Sequence, residues 1–172
     1  RSSPELLNRV AEVKMQPCLA LMAAFEKPLE LSFDAAFIHQ SPVRWAARNN
    51  SKPRRPAPEC WVFHGTAEWS QKVPERKDDQ TAGRSLLASF FESIGRTFID
   101  PICQRTRFWR SAAAVNPLNV GCLWDAELNI GVCGDWCQMS RVEGAALSGM
   151  AMAGKILGVS ANIQPNVQVS AE

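Results

Sequence analysis

Apolar and polar positions recur at two different periods along this chain, and the switch between them marks its elements. Residues 18–25 form an unbroken apolar run of strand length. In residues 43–48, Val43, Trp45 and Ala47 alternate with Arg44, Ala46 and Arg48, which predicts a strand with one apolar and one partly cationic face. Residues 33–39 make a neighbouring strand, joined to it by a tight turn at Gln40, Ser41 and Pro42. Residues 61–67 alternate again, with Trp61 and Phe63 on one face and Val62, His64 and Thr66 on the other. The Pro-, Asn- and base-rich residues 49–59 and the polar residues 71–80 read as loops. The period then lengthens: Leu86, Leu87, Phe90, Phe91 and Ile94 fall on one helical stripe, predicting a helix over 81–94 that is capped by Asp78 or Asp79 and ended by Gly95.

The flanks are shorter. Ser3 as N-cap and Pro4 at the first helical position predict a helix over 4–13. Residues 106–113 suit a strand with Phe108 opposite to Trp109. Residues 123–127 lead through Asn129 into the apolar run 130–133, which reads as a buried strand. Periodicity is lost after 157, so residues 159–172 are expected to be a flexible tail. The order of elements suits an α+β fold, a mixed or antiparallel sheet with a covering helix.

Composition narrows the choice of partner more than the choice of fold. With 172 residues, 46% of them hydrophobic, the chain can bury one sizeable core; a domain of this size typically removes about 70% of its unfolded surface from water. Its longest apolar stretch falls far short of the about 20 residues a spanning helix needs, so no membrane partner is expected. A net charge of +2 does not call for a polyanion. Arg44, Arg48, Lys52, Arg54 and Arg55 do gather ahead of Glu59, either as a solvated loop or as a patch that attracts substrate phosphates. No nucleic-acid module accompanies them. The six cysteines lack the close pairs and His partners of a zinc site, so no metal is expected, and they read as reduced thiols of a cytoplasmic protein. There is no Gly-x-Ser-x-Gly nucleophile turn to support a hydrolase.

The most chemically suggestive stretch is residues 131–154. Gly134 lets the backbone approach something bulky, and Asp135 places a carboxylate where ligand hydroxyls can meet it. Ser140 and Glu143 have capping-box spacing, which starts a helix near Arg141. Within it Gly144, Ala145, Ser148, Gly149 and Ala153 line one side with small residues, able to lie against a strand, a helix or a planar ring. From the residues alone, a tightly packed strand–turn–helix and a ligand site are equally open.

The run Gly134-Asp-Trp-Cys-x-x-x-Arg-Val-Glu-Gly-Ala-x-x-Ser-Gly149 resembles the C-terminal flavin-binding segment of FAD-dependent amine-oxidase-type flavoproteins, in the renalase-like bacterial branch. Residues 17–25, 41–53, 60–70 and 108–110 are similar to earlier, less specific blocks of that branch, and the resemblance runs from about 17 to 157. It implies that FAD is the cofactor, with Gly134, Asp135, Trp136, Arg141, Val142, Glu143 and Ala145 at the cofactor: Asp135 at the ribityl and pyrophosphate region, and the amides near Arg141 to Glu143 at the flavin pyrimidine edge. No Gly-x-Gly-x-x-Gly turn occurs and the chain opens at Arg1, so the expectation is a C-terminal half whose partner is the missing N-terminal FAD-binding half of the same polypeptide, inactive by itself. Residues 1–128 would be the substrate-binding domain, and 129–158 a strand–turn–helix of the Rossmann-like FAD domain.

The activity implied is hydride transfer from a reduced small-molecule substrate, a dihydronicotinamide dinucleotide isomer, to flavin and then to oxygen. Trp45, His64 and Trp109 would stack on the reacting ring, while Arg44, Asn49 and Arg110 would bind carboxamide or phosphate. Each has a plain structural alternative, His64 as a hydrogen-bonded histidine and the tryptophans as core. The rival functions are an amine oxidase acting on primary or secondary amines and a non-catalytic binding module of the same fold.

Overall fold

The computed structural model describes residues 3–75 and 78–158, and the tail expected at 159–172 lies outside them. In chain order the elements are α1 (Pro4–Ala11), β1 (Met15–Phe25), β2 (Ala35–Phe37), β3 (Val43–Arg48), a 3-10 turn (Asn49–Ser51), β4 (Glu59–Gly65), α2 (Ala67–Lys72), α3 (Gln80–Ser93), β5 (Cys103–Ala114), β6 (Leu123–Asp125), β7 (Ile130–Val132), α4 (Asp135–Gln138) and α5 (Val142–Ile156). The protein is α+β, with an antiparallel sheet and several helices.

The chain divides into two compact units, residues 17–112 and residues 3–16 with 113–158. The divisions thus fall at 16/17 and 112/113, while the boundary at 128/129 is the one that the resemblance implies. Local bonding accounts for the difference. Asn116 accepts from the Lys14 N–H and donates to the Glu12 carbonyl, and the Ser3 side chain helps hold the Asp125 carboxyl below its ordinary pKa, so α1 goes with the later residues.

In the unit of residues 17–112, five strands lie in the order β2-β3-β4-β1-β5. Ala46 faces Phe63 across β3 and β4, and Leu21 faces Phe63 across β1 and β4. One sheet face therefore carries Leu19, Leu21, Ala23, Phe25, Val43, Ala46, Trp61 and Phe63, all buried, against Ala82, Leu86, Leu87, Phe90 and Phe91 of α3. Each fully buried large side chain contributes about 1.5–3 kcal/mol, so this layer is the main source of stability in the unit. Helix α3 begins where Asp79 accepts from the Ala82 N–H, and it ends at Gly95, whose φ of 65° allows the Gly95 and Arg96 amides to turn back onto Glu92 and Phe91 carbonyls.

Two expectations change here. The alternation of 43–48 is broken by a β-bulge between Val43 and Trp45, so Val43 and Ala46 are the buried pair while Trp45 and Ala47 face the other way. Residues 67–72, where the pattern predicts a strand end at 67 and a loop from 71, form α2, capped by the Thr66 hydroxyl and closed by a Glu68–Lys72 pair. A helix of six residues is too short for its period to show.

In the other unit, Ser3 caps α1 as expected. The apolar run 130–133 is not a buried strand. It contributes only Ile130–Val132, paired with β6 alone, and Ile130 and Cys133 are exposed, because among the described residues no second strand covers β7. The bend after it is the short helix α4.

Candidate functional site

The candidate residues fall in two groups, one in each unit. On the sheet face turned away from α3, register places Phe37, Trp45, His64 and Ala20 in a single row, since Phe37 faces Trp45, Trp45 faces His64 and His64 faces Ala20. The Trp45 indole and the His64 imidazole lie 5.0 Å apart between ring centres at 37°. The bulge creates this neighbourhood; regular alternation would have put Trp45 in the core. Arg44, the residue inside the bulge, is exposed and enters no ion pair among the described residues. Partial burial, with Arg44 adding to it, pushes the His64 pKa below the ordinary value, so the imidazole is neutral at pH 7. The next row is Ala47, Val62 and Met22, and with Ala20 these give a shallow apolar floor on which Phe37 (71% exposed) and Met22 (44%) stand open.

The other substrate-binding candidates are placed elsewhere. Trp109 lies on β5, three strands from β3, about 14 Å across the sheet at about 4.8 Å per strand; it is 53% exposed with Arg107 over its ring at 5.4 Å. Asn49 follows the far end of β3, five residues from Arg44 and about 16 Å along the strand. Arg110 is held by Glu75 at 2.9 and 3.2 Å, which raises its pKa further and engages its guanidinium in a surface ion pair. Of the basic patch, Arg48 is structural: it donates to the Leu31 and Phe33 carbonyls, lies 3.4 Å from Glu59 and stacks over Trp61 at 5.3 Å.

Beside Arg44 a cleft of about 550 Å³ is lined by His39, Pro42, Thr66, Trp69 and Lys72 as well. Trp69 and Lys72 were not singled out by their sequence context, because α2 was not; the Glu68–Lys72 spacing was the one available signal.

The second group surrounds α4 and α5. Ser140 does not cap α5: its hydroxyl accepts from the Ala114 N–H at 2.7 Å and donates to the Ala114 carbonyl at 3.1 Å. The capping box fails because this partner outcompetes the helix end. Arg141 is the N-cap residue, without a side-chain bond, and Val142 (89% exposed) and Glu143 stand open, so the first turn presents amides that no side chain caps. The small residues separate into two stripes. Gly144, Ser148 and Met152 are buried, while Ala145 and Ala153 are exposed and a side chain at Gly149 would meet nothing within 4 Å.

At Gly134 the nearest bulky group is one of the chain's own. A Cβ there would meet the chain's own Trp136 indole at 2.6 Å, so the bulky neighbour is Trp136. The bend is tied to α5 by Ser148, fully buried, whose hydroxyl accepts from the Gly134 N–H and donates to the Gly121 carbonyl. Asp135 is half-buried and free of ion pairs among the described residues. An FAD fits these residues at two points, the uncapped end of α5 and the free Asp135 carboxylate; Trp136 occupies the space that Gly134 had suggested for it. No protein-family model matches the chain.

Proposed function

We propose that this chain is the C-terminal part of an FAD-dependent oxidoreductase that accepts hydride from a dihydronicotinamide dinucleotide isomer and passes the electrons to oxygen. The reading rests on the resemblance of residues 131–154 to a flavin-binding segment. One structural observation supports it best: α5 starts without a side-chain cap a few residues after Gly134 and Asp135, with its first turn open.

FAD, when bound, supplies the hydride acceptor and the route to oxygen, which leaves as hydrogen peroxide. The chain's own groups do the rest. The first turn of α5 carries about half a positive charge and unshared N–H donors, suited to an electron-rich ring edge. Asp135 accepts hydrogen bonds from ligand hydroxyls. Trp45 and the neutral His64 offer flat surfaces to a nicotinamide ring, and Arg44 offers a free cation to its carboxamide or phosphates. A dihydropyridine gives up hydride without first losing a proton, so no acid or base is demanded of His64.

Full-length polypeptide containing this chain should purify yellow, with flavin absorbance, and Asp135→Ala should lower its flavin content; undiminished content contradicts the proposed contact. Steady-state turnover should be seen with isomeric dihydronicotinamides. Turnover with amines alone would instead identify an amine oxidase, and a colourless, stable protein a binding module.

A further inference from the structure

Cys122 and Cys133 are the residues immediately outside the β6–β7 hairpin. Asp125 faces Ile130, Trp124 faces Gly131 and Leu123 faces Val132; the ladder ends there, and its register extended by one step sets Cys122 opposite Cys133. The step beyond is held as well. Ser148 Oγ accepts from the Gly134 N–H at 3.0 Å and donates to the Gly121 carbonyl at 2.6 Å, bridging the two residues that continue the same register. The thiols are thus bracketed by a paired position on one side and a hydroxyl-bridged one on the other. Directly opposed residues of antiparallel strands have Cα atoms about 4.5–5.5 Å apart and side chains on one face, within the window of about 4.4–6.8 Å that a disulfide spans. Both are free thiols here.

We propose that Cys122 and Cys133 form a peroxide-sensitive dithiol site that closes a cross-strand disulfide at the base of the hairpin, next to Gly134. Cys133, the exposed member, attacks one oxygen of hydrogen peroxide as its thiolate. The O–O bond breaks, hydroxide leaves and is protonated to water, and a sulfenic acid remains. The Cys122 sulfur then attacks the Cys133 sulfur, the S–O bond breaks, and a second water departs with the Cys122 proton. Two thiols lose two electrons and two protons, and peroxide becomes two waters. Cys137 is fully buried and stays a spectator. The site does not depend on the flavin reading, since the oxidant is supplied from outside.

The test is disulfide mapping on the whole chain. Reduced protein is treated with hydrogen peroxide, alkylated, and cleaved after glutamate and before aspartate. Cuts at Glu127, Asp125 and Asp135 put Cys122, Cys133 and Cys137 on three separate peptides. A linked Cys122–Cys133 pair, with Cys137 alkylated and the link reversed by dithiothreitol, is the expected result. Cys122→Ser should abolish the link and leave Cys133 as a sulfenic acid trapped by a 1,3-dione. A Cys133–Cys137 link, or three alkylated thiols at a dose that oxidises glutathione, overturns the proposal. The wild-type map decides the matter even if the variant does not fold.

Discussion

His64 shows how a single side chain acquires properties its position in the sequence does not carry. Alternation along β4 places it opposite Trp61 and Phe63, on the face away from the core, and that much follows from the pattern alone. Its neutrality comes from partial burial against Trp45 and from the Arg44 charge, both delivered by the bulge in β3. Because the folded pKa is depressed, the unfolded chain binds the proton more readily. This contribution to stability is therefore complete above the ordinary histidine value of about 6.5 and is lost as pH falls through the depressed folded value. An NMR titration should find the His64 midpoint below the ordinary value, and Arg44→Gln should move it part of the way back. An unshifted midpoint in the wild type would mean that the ring is better hydrated than its packing implies. Arg48 and Arg110 show the converse: Arg110 was expected at the substrate and Arg48 belonged to a patch left open between solvated loop and phosphate site, and both are engaged, Arg48 by backbone carbonyls and Glu59, and Arg110 by Glu75.

Among the elements, α5 is where sequence signals were least decisive. Small residues at helical spacing are visible in the chain, but not which stripe packs and which stays open. Gly144 lies where a Cβ would come within 2.1 Å of the Met139 carbonyl oxygen, a backbone atom that cannot swing aside, whereas Gly149 faces open space. Gly144→Ala should therefore cost about 1–3 kcal/mol or more through overpacking. Gly149→Ala should stabilise by about 0.5–1 kcal/mol by removing glycine's excess freedom from a helix interior. Urea unfolding of the two variants should move the midpoint in opposite directions; a stabilising Gly144→Ala with a destabilising Gly149→Ala would show that the stripes are assigned the wrong way round. By contrast α3 was legible from end to end, because its stripe, its Asp79 cap and its Gly95 stop are all local signals. The capping box at Ser140 is equally local and still failed, since the Ala114 backbone, 26 residues away, claims the hydroxyl.

At the scale of the molecule, the unit of residues 17–112 depends on a few aromatic contacts between its sheet and α3. Phe90 is fully buried, 4.8 Å from Phe63 and 5.6 Å from Phe91 between ring centres. Phe90→Ala should remove about 3–5 kcal/mol, a large share of the about 5–15 kcal/mol typical of a folded domain. Denaturant unfolding followed by tryptophan fluorescence should report it, and a loss below about 1 kcal/mol would mean that the layer collapses around the gap. The α+β class, the antiparallel strands and the covering helix could all be read in advance, because hydrophobic period and turn chemistry act over a few residues and do not depend on the partner. The unit boundaries, the row of Phe37, Trp45 and His64, and the pairing of β6 with β7 could not. They depend on which strands meet, in which register, and where a bulge shifts that register by one residue. Such choices are made by contacts between residues distant in the chain, so they exist only once the chain has folded.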